Sequence, residues 1–215
     1  MKRLTIGFIV GALLLSVTAA VAIAAQVQCE PPSEGICFGT SNNDTIEGTG
    51  DDDEIWAGGG NDRVRGNGGE DTIFGQTGND LIEGRSGNDP RLEGNAGDDD
   101  IYGGNGDDTI SGNDGNDDLQ GGEGDDILAG GTGRDAIDAA TNEGAGDEDD
   151  VFGGPDRDVI YAQDNDVDNI QCGTGFDTVA ADPQDNVAAD CEEVIEDPVD
   201  INDFFGPNRF DLETF

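Results

Sequence analysis

The nine residues GGNGDDTIS, Gly103 to Ser111, are one copy of a pattern that fills most of the chain and decides its fold. An aspartate returns every nine residues with a large aliphatic residue two places behind it. The aspartates are Asp44, Asp53, Asp62, Asp71, Asp80 and Asp89, then after a one-residue slip Asp99, Asp108, Asp117, Asp126 and Asp135. After a longer insertion the phase resumes at Asp149, Asp158, Asp168 and Asp177. The aliphatic partners run from Ile46 and Ile55 to Ile170 and Val179, with Leu92 displaced by the Pro90-Arg91 slip, which makes fifteen repeats. A glycine precedes the aspartate by two residues in nine consecutive repeats, Gly60 to Gly133. Another commonly precedes it by five, as at Gly66, Gly75, Gly84 and Gly94.

Composition bounds what such a chain can do. There are 9 basic and 50 acidic residues and no histidine. If Lys2 and Arg3 leave with a cleaved leader, 7 basic residues face 50 acidic ones, a balance of about −43. That charge repels nucleic acid and anionic membranes and favours cations as partners. With few apolar residues it also predicts a disordered chain unless something neutralises it. The 36 glycines lack a G-X-Y period, so the chain is not collagen-like.

The first 25 residues read as a secretory signal peptide: a basic start at Lys2 and Arg3, an apolar run, and a small-residue end at Ala22-Ile23-Ala24. An uncleaved anchor is the competing reading, since the run approaches the roughly 20 residues that span a bilayer. Cys29 follows Val27-Gln28, unlike a lipobox.

The repeats resemble the RTX, or haemolysin-type, calcium-binding nonapeptide G-G-x-G-x-D-x-U-x, which Gly103 to Ser111 matches at every fixed position. The resemblance implies an all-β fold, a right-handed parallel β-roll (a β-solenoid) with two nonapeptides per coil. Calcium would sit between the turns of repeats n and n+2. It implies metal ligands at Asp62, Asp71, Asp80, Asp89, Asp99, Asp108, Asp117, Asp126 and Asp135, their shells completed by neighbouring carbonyls. The residue types agree with that chemistry. Glycines at the first and fourth positions are expected to take positive φ and aim carbonyls at a common centre, to which the aspartate adds carboxylate oxygens. Calcium takes six to eight oxygen ligands at about 2.3–2.6 Å in flexible geometry, whereas magnesium demands a tighter octahedron. The x-U-x residues would form a short strand with the middle side chain inward.

A core of one aliphatic residue per nine is thin, and stacked carboxylates repel one another, so the chain is expected to be largely unfolded without calcium and folded with it. The first two repeats carry Asn42 and Asp51 in place of the fourth-position glycine, and later ones carry Asp147, Asp156 and Asp166. Asp44, Asp53, Asp149, Asp158, Asp168 and Asp177 are therefore expected as ladder or capping residues. Residues Ala139 to Glu143 are expected to bulge from the roll.

Four cysteines in a secreted chain predict two disulfides. An elongated roll separates its ends by about 30 Å or more at a strand spacing near 4.8 Å, far beyond the roughly 7 Å a disulfide tolerates between Cα atoms. The expected pairs are Cys29 with Cys37 and Cys172 with Cys191, pinning the two ends. The domain reading is then a signal peptide over 1–25, an N-terminal cap over 26–38, the β-roll over 39–180, a C-terminal cap over 181–197 and an acidic, aromatic tail over 198–215. The tail, with Phe204, Phe205, Phe210 and Phe215, is similar to type I secretion signals, folds back, binds a partner or stays solvated.

The sequence thus reads as a secreted, extracellular protein that folds on binding several calcium ions. Its alternative is an extracellular adhesion or matrix module that binds glycan or protein, with calcium as structural ion. A third reading is an acidic, disordered calcium buffer. Aromatic residues at the ninth position (Trp56, Phe74, Tyr102, Phe152 and Tyr161) recur irregularly and are expected to be scattered strand residues rather than a continuous ladder. Without histidine there is no Ser-His or Cys-His arrangement, and fifty acids make accidental carboxylate pairs uninformative, so no catalytic residue is expected. No nucleic acid partner is expected, and no membrane partner after signal cleavage.

Overall fold

The computed structural model describes residues 26–29, 35–140 and 146–196. The expected signal peptide and the aromatic tail lie outside the described residues. Each x-U-x segment is a strand, because alternation sends the central aliphatic to one face and its neighbours to the other. All fifteen aliphatic residues, from Ile46 to Val179, are buried at 0 or 1% exposure. Two residues further along each strand the chain points inward again, and there it carries only small residues: glycine, Ala57, Ala139, Ala162, Cys172 or Ala181. The core is one column of large aliphatics beside one column of small residues on each sheet.

Every strand pairs in parallel with the strand two places ahead. Ile55 lies against Ile73 and Val64 against Ile82, so partners are eighteen residues apart. Alternate strands therefore build two sheets. One has ten strands, from Gln26–Gln28 through Arg63–Gly68 to Glu193–Ile195; the other has nine, from Ile36–Phe38 through Glu54–Gly59 to Asn186–Val187. The fold is an all-β parallel β-solenoid, a roll of two repeats per turn.

The two interruptions leave pairing intact. Across Pro90-Arg91 the register lengthens by one, to Ile73 with Leu92 and Ile82 with Ile101. Across the longer insertion Leu128 pairs with Val151 and Ile137 with Ile160. Ala139, expected in the bulge, belongs instead to the wall: it is buried, and its amide donates to the Tyr161 carbonyl at 2.9 Å. It occupies the second inward column, as Ala57 and Ala162 do in their repeats. Residues 141–145 lie outside the described residues.

Both expected disulfides form. Cys29–Cys37 joins the opening strands of the two sheets, with Cα atoms 5.6 Å apart. Cys172–Cys191 ties an inward position of the roll to the cap at 5.2 Å. The cap adds a last strand to each sheet, with Asn169 opposite Asn186 and Thr178 opposite Glu193. Among the described residues no helix is long and apolar enough to cross a membrane.

Candidate metal centre

The sixth-position aspartates form two ladders, one along each edge of the roll. Asp44, Asp62, Asp80, Asp99, Asp117, Asp135, Asp158 and Asp177 make the first. The amide of Asp62 donates to Oδ1 of Asp80 at 2.7 Å, that of Asp80 to Asp99 at 2.7 Å, and that of Asp99 to Asp117 at 2.8 Å. Asp53, Asp71, Asp89, Asp108, Asp126, Asp149 and Asp168 make the second in the same way, with Asp71 to Asp89 and Asp89 to Asp108 both at 2.8 Å. All nine expected ligands lie in these ladders. The remaining aspartates continue them, as the amide of Asp126 donates to Asp149 and that of Asp158 to Asp177, both at 2.8 Å.

From Asp62 and Asp71 onward, one oxygen of each of these carboxylates is thereby committed. The other is not: Oδ2 of Asp62, Asp71, Asp80, Asp89, Asp99, Asp108, Asp117 and Asp126 is buried and has no hydrogen-bond partner among the described residues. A buried carboxylate oxygen left without a partner is costly. The same column of orphaned acceptors, one per repeat, is what a cation would satisfy.

The glycines explain how these oxygens come together, and they correct the expectation from sequence. Positive φ belongs to the fourth position (Gly78 +124°, Gly97 +141°) and to the second, where Asn67, Gln76, Arg85, Asn95 and Asn113 also adopt it. The first-position glycines do not show it. They are glycine for room: a Cβ on Gly66, Gly75, Gly84, Gly103 or Gly130 would stand no farther than 3.0 Å from Oδ2 of its own repeat's aspartate and from the glycine carbonyl of the next turn. Two oxygen donors thus converge on the space that a side chain would fill, and oxygen donors of this kind suit calcium.

Electrostatics agree. In the metal-free roll Asp108 and Asp117 are pushed up to about 8, chiefly because burial strips water from the charged form, with repulsion from ladder neighbours adding to it. The ladder amides pull the other way but do not win. Asp71 and Asp99 rise to about 7 and Asp149 to about 9 for the same reasons. A divalent cation would remove this penalty.

The opening repeats are built differently. Oδ2 of Asp44 accepts from the Thr40 amide, and Oδ2 of Asp53 from the Thr49 amide, both at 2.6 Å. Those oxygens are occupied by the chain itself. At the other end the ladders finish on residues that the nine-residue period does not reach: the Asp168 amide donates to Asp185 at 3.2 Å and the Asp177 amide to Glu192 at 3.0 Å. A second, exposed ladder also escaped the sequence reading. Fifth-position side chains receive the next turn's amide, from Asn61 to Asn43, Asn79 to Asn61, Asp98 to Asn79 and Asn116 to Asp98. Its signal was the recurrence of asparagine or aspartate just before the ladder residue.

Phe38, Trp56 and Phe74 stand in register on the nine-stranded sheet, where a scatter was expected. The rings of Trp56 and Phe74 stack at 4.2 Å between centroids, and Arg91 covers Phe74 at 5.5 Å. Their faces are turned to one another along the roll axis rather than outward. Tyr102 and Tyr161 lie on the other sheet, and Phe152 is separated from Phe74 along its own.

The RTX calcium-binding nonapeptide repeat matches the chain in four copies, over residues 38–73, 65–89, 91–119 and 111–141. No curated protein matches it. Only this repeat is detected, a type of domain that is typically non-catalytic.

Proposed function

Because the chain belongs to the RTX calcium-binding nonapeptide repeat family, we propose that it is a secreted protein that folds on binding several calcium ions between stacked turns. Asp62, Asp71, Asp80, Asp89, Asp99, Asp108, Asp117, Asp126 and Asp135 are the ligands in this reading, with glycine carbonyls beside them. The observation that carries it is the column of buried Oδ2 atoms converging with those carbonyls above glycines that have no room for a side chain. Two disulfides and an N-terminal stretch with the pattern of a signal peptide support an extracellular setting. Calcium is abundant there, so sites of the weak extracellular class, about 10⁻⁴–10⁻³ M, would fill. The chain acts by holding ions and shape rather than by catalysis. Trp56 and Phe74 lend no support to an adhesion role, since their faces are spent on each other.

Far-ultraviolet circular dichroism of residues 26–215, titrated with calcium and separately with magnesium after chelation, tests the reading. A cooperative gain of β signal with calcium alone is expected. An equal response to both ions, or none, would leave a disordered acidic buffer as the better description.

A further inference from the structure

The few cations of this chain are not spread among its many acids. Six arginines lie among the described residues, and three of them, Arg63, Arg65 and Arg85, stand together on the outer face of the ten-stranded sheet. Strand register puts Glu47, Arg65, Glu83 and Tyr102 in one row across four turns, with Asn67, Arg85 and Gly104 in the row beside it. With 50 acidic residues to 9 basic ones, each arginine could be given carboxylates of its own. Here three arginines share two.

Glu83 accepts from all three: from Nη2 of Arg63 at 2.8 Å, from Nε of Arg65 at 2.9 Å, and from Nε and Nη2 of Arg85 at 3.1 and 3.0 Å. Nη1 of Arg65 also donates to Glu47 at 2.6 Å, and Nη1 of Arg85 to Asn67 at 3.2 Å. Burial alone would raise the Glu83 carboxyl, but the bonds from Arg85, Arg65 and Arg63 hold it below its usual value, so it stays charged. Three guanidinium groups against two carboxylates leave a surplus of one positive charge. Donors are in surplus as well. At five N–H donors per guanidinium, these six bonds use fewer than half of what the three groups offer. Nε of Arg63 is buried without a partner, and among the described residues the other buried side-chain atoms in that state are all ladder carboxylate oxygens.

The cluster borders a cavity of about 400 Å³, lined by Arg63, Arg65, Glu83, Arg85 and Tyr102 and by Gly104, which has no side chain to fill it. That volume falls in the range of small-molecule pockets, roughly 300–1,000 Å³. We propose that this cavity binds a small organic acid, its carboxylate on the arginines and its apolar body beside Tyr102 and the arginine stems. The planar fork of a guanidinium matches a carboxylate with two parallel bonds, and one surplus charge matches a monoanion. Polyanions are disfavoured by the acidic remainder of the chain. The site lies on the outer face of a sheet, apart from the calcium ladders at the edges, and uses none of their residues.

The test titrates the calcium-loaded full-length chain with benzoate and follows the arginine Nε–H signals by nuclear magnetic resonance. Binding in the millimolar range or tighter is expected, with the signals of Arg65 and Arg85 moving and those of Arg134 and Arg157 still. Benzamide, the same body without the charge, is expected to leave all of them in place. Arg85→Gln removes the most exposed of the three guanidinium groups, its side chain 47% exposed. It should weaken benzoate about tenfold at unchanged β signal. Arg134→Gln removes the same charge from the edge of the roll and is expected to keep the wild-type affinity. If the arginines only staple neighbouring turns together, benzoate will leave their signals unmoved, and the site is overturned. An equal response to benzamide overturns it too, as does an equal loss in the two variants. Should Arg85→Gln fail to fold, the wild-type signals of Arg65 and Arg85 decide alone.

Discussion

Two stretches of the same roll, the opening repeats around Asp44 and Asp53 and the central ones from Asp62 to Asp126, use one aspartate in two ways. In the opening repeats Oδ2 receives a threonine amide from its own turn. In the central repeats Oδ2 is buried without a partner and meets a glycine carbonyl of the next turn. Position in the period is identical, so the period alone does not make a metal site. What differs is which oxygen the backbone satisfies: Oδ2 at Asp44 and Asp53, Oδ1 in the central repeats.

The sharpest way to test that difference is through the glycines. Gly97→Ala puts a side chain at φ +141° and against the Gly78 carbonyl. It should cost about 3 kcal/mol or more, read as a lower urea midpoint in calcium. Gly50→Ala in the opening region meets nothing within 4 Å, and should stay within about 0.5 kcal/mol. Equal effects would mean that the two regions are packed alike.

A smaller contrast is expected from the carboxylates themselves. Asp108→Asn removes charge from a central oxygen pair and should raise the calcium concentration needed for the β signal roughly tenfold, about 1.4 kcal/mol. Asp44→Asn should leave that midpoint within about twofold, because its Oδ2 serves a backbone amide. A shift of the same size at Asp44 would place a metal ion in the opening repeats too.

The smallest effect concerns protons. In chelator, Asp108 and Asp117 at about 8 and Asp99 at about 7 lie well above the ordinary carboxyl value near 3.9. The folded state therefore holds more protons than the unfolded chain between about pH 4 and 8. Stability from these groups is full below pH 4 and lost as pH rises through 7–8. The metal-free chain should gain some β signal between pH 8 and 5, and calcium should bind less tightly over the same range as protons compete. A metal-free chain that loses order on acidification would contradict the buried ladder.

The fold was legible because the period is strict: an aliphatic residue every nine positions permits one inward column per sheet, and all fifteen are buried. The nine ligand candidates occupy the sixth position of that period, and all nine fall in the two ladders. Three things were not legible. The first-position glycines were assigned to φ when steric room is what they provide, and room depends on the next turn rather than on the local sequence. Asp185 and Glu192 close the ladders from outside the period, seventeen and fifteen residues beyond their donors. The Trp56–Phe74 stack depends on strand order, which places residues eighteen apart side by side.

The pairing of each strand with the one two ahead also sets how such a chain can change in length. Duplicating or deleting eighteen residues moves everything beyond by one rung, about 4.8 Å, and returns each later strand to its own sheet. A change of nine residues sends every later strand to the opposite sheet, exchanging the two edges and whatever their outer faces carry. The roll is thus a ruler graduated in pairs of repeats, with ends that need not be redesigned when its length is.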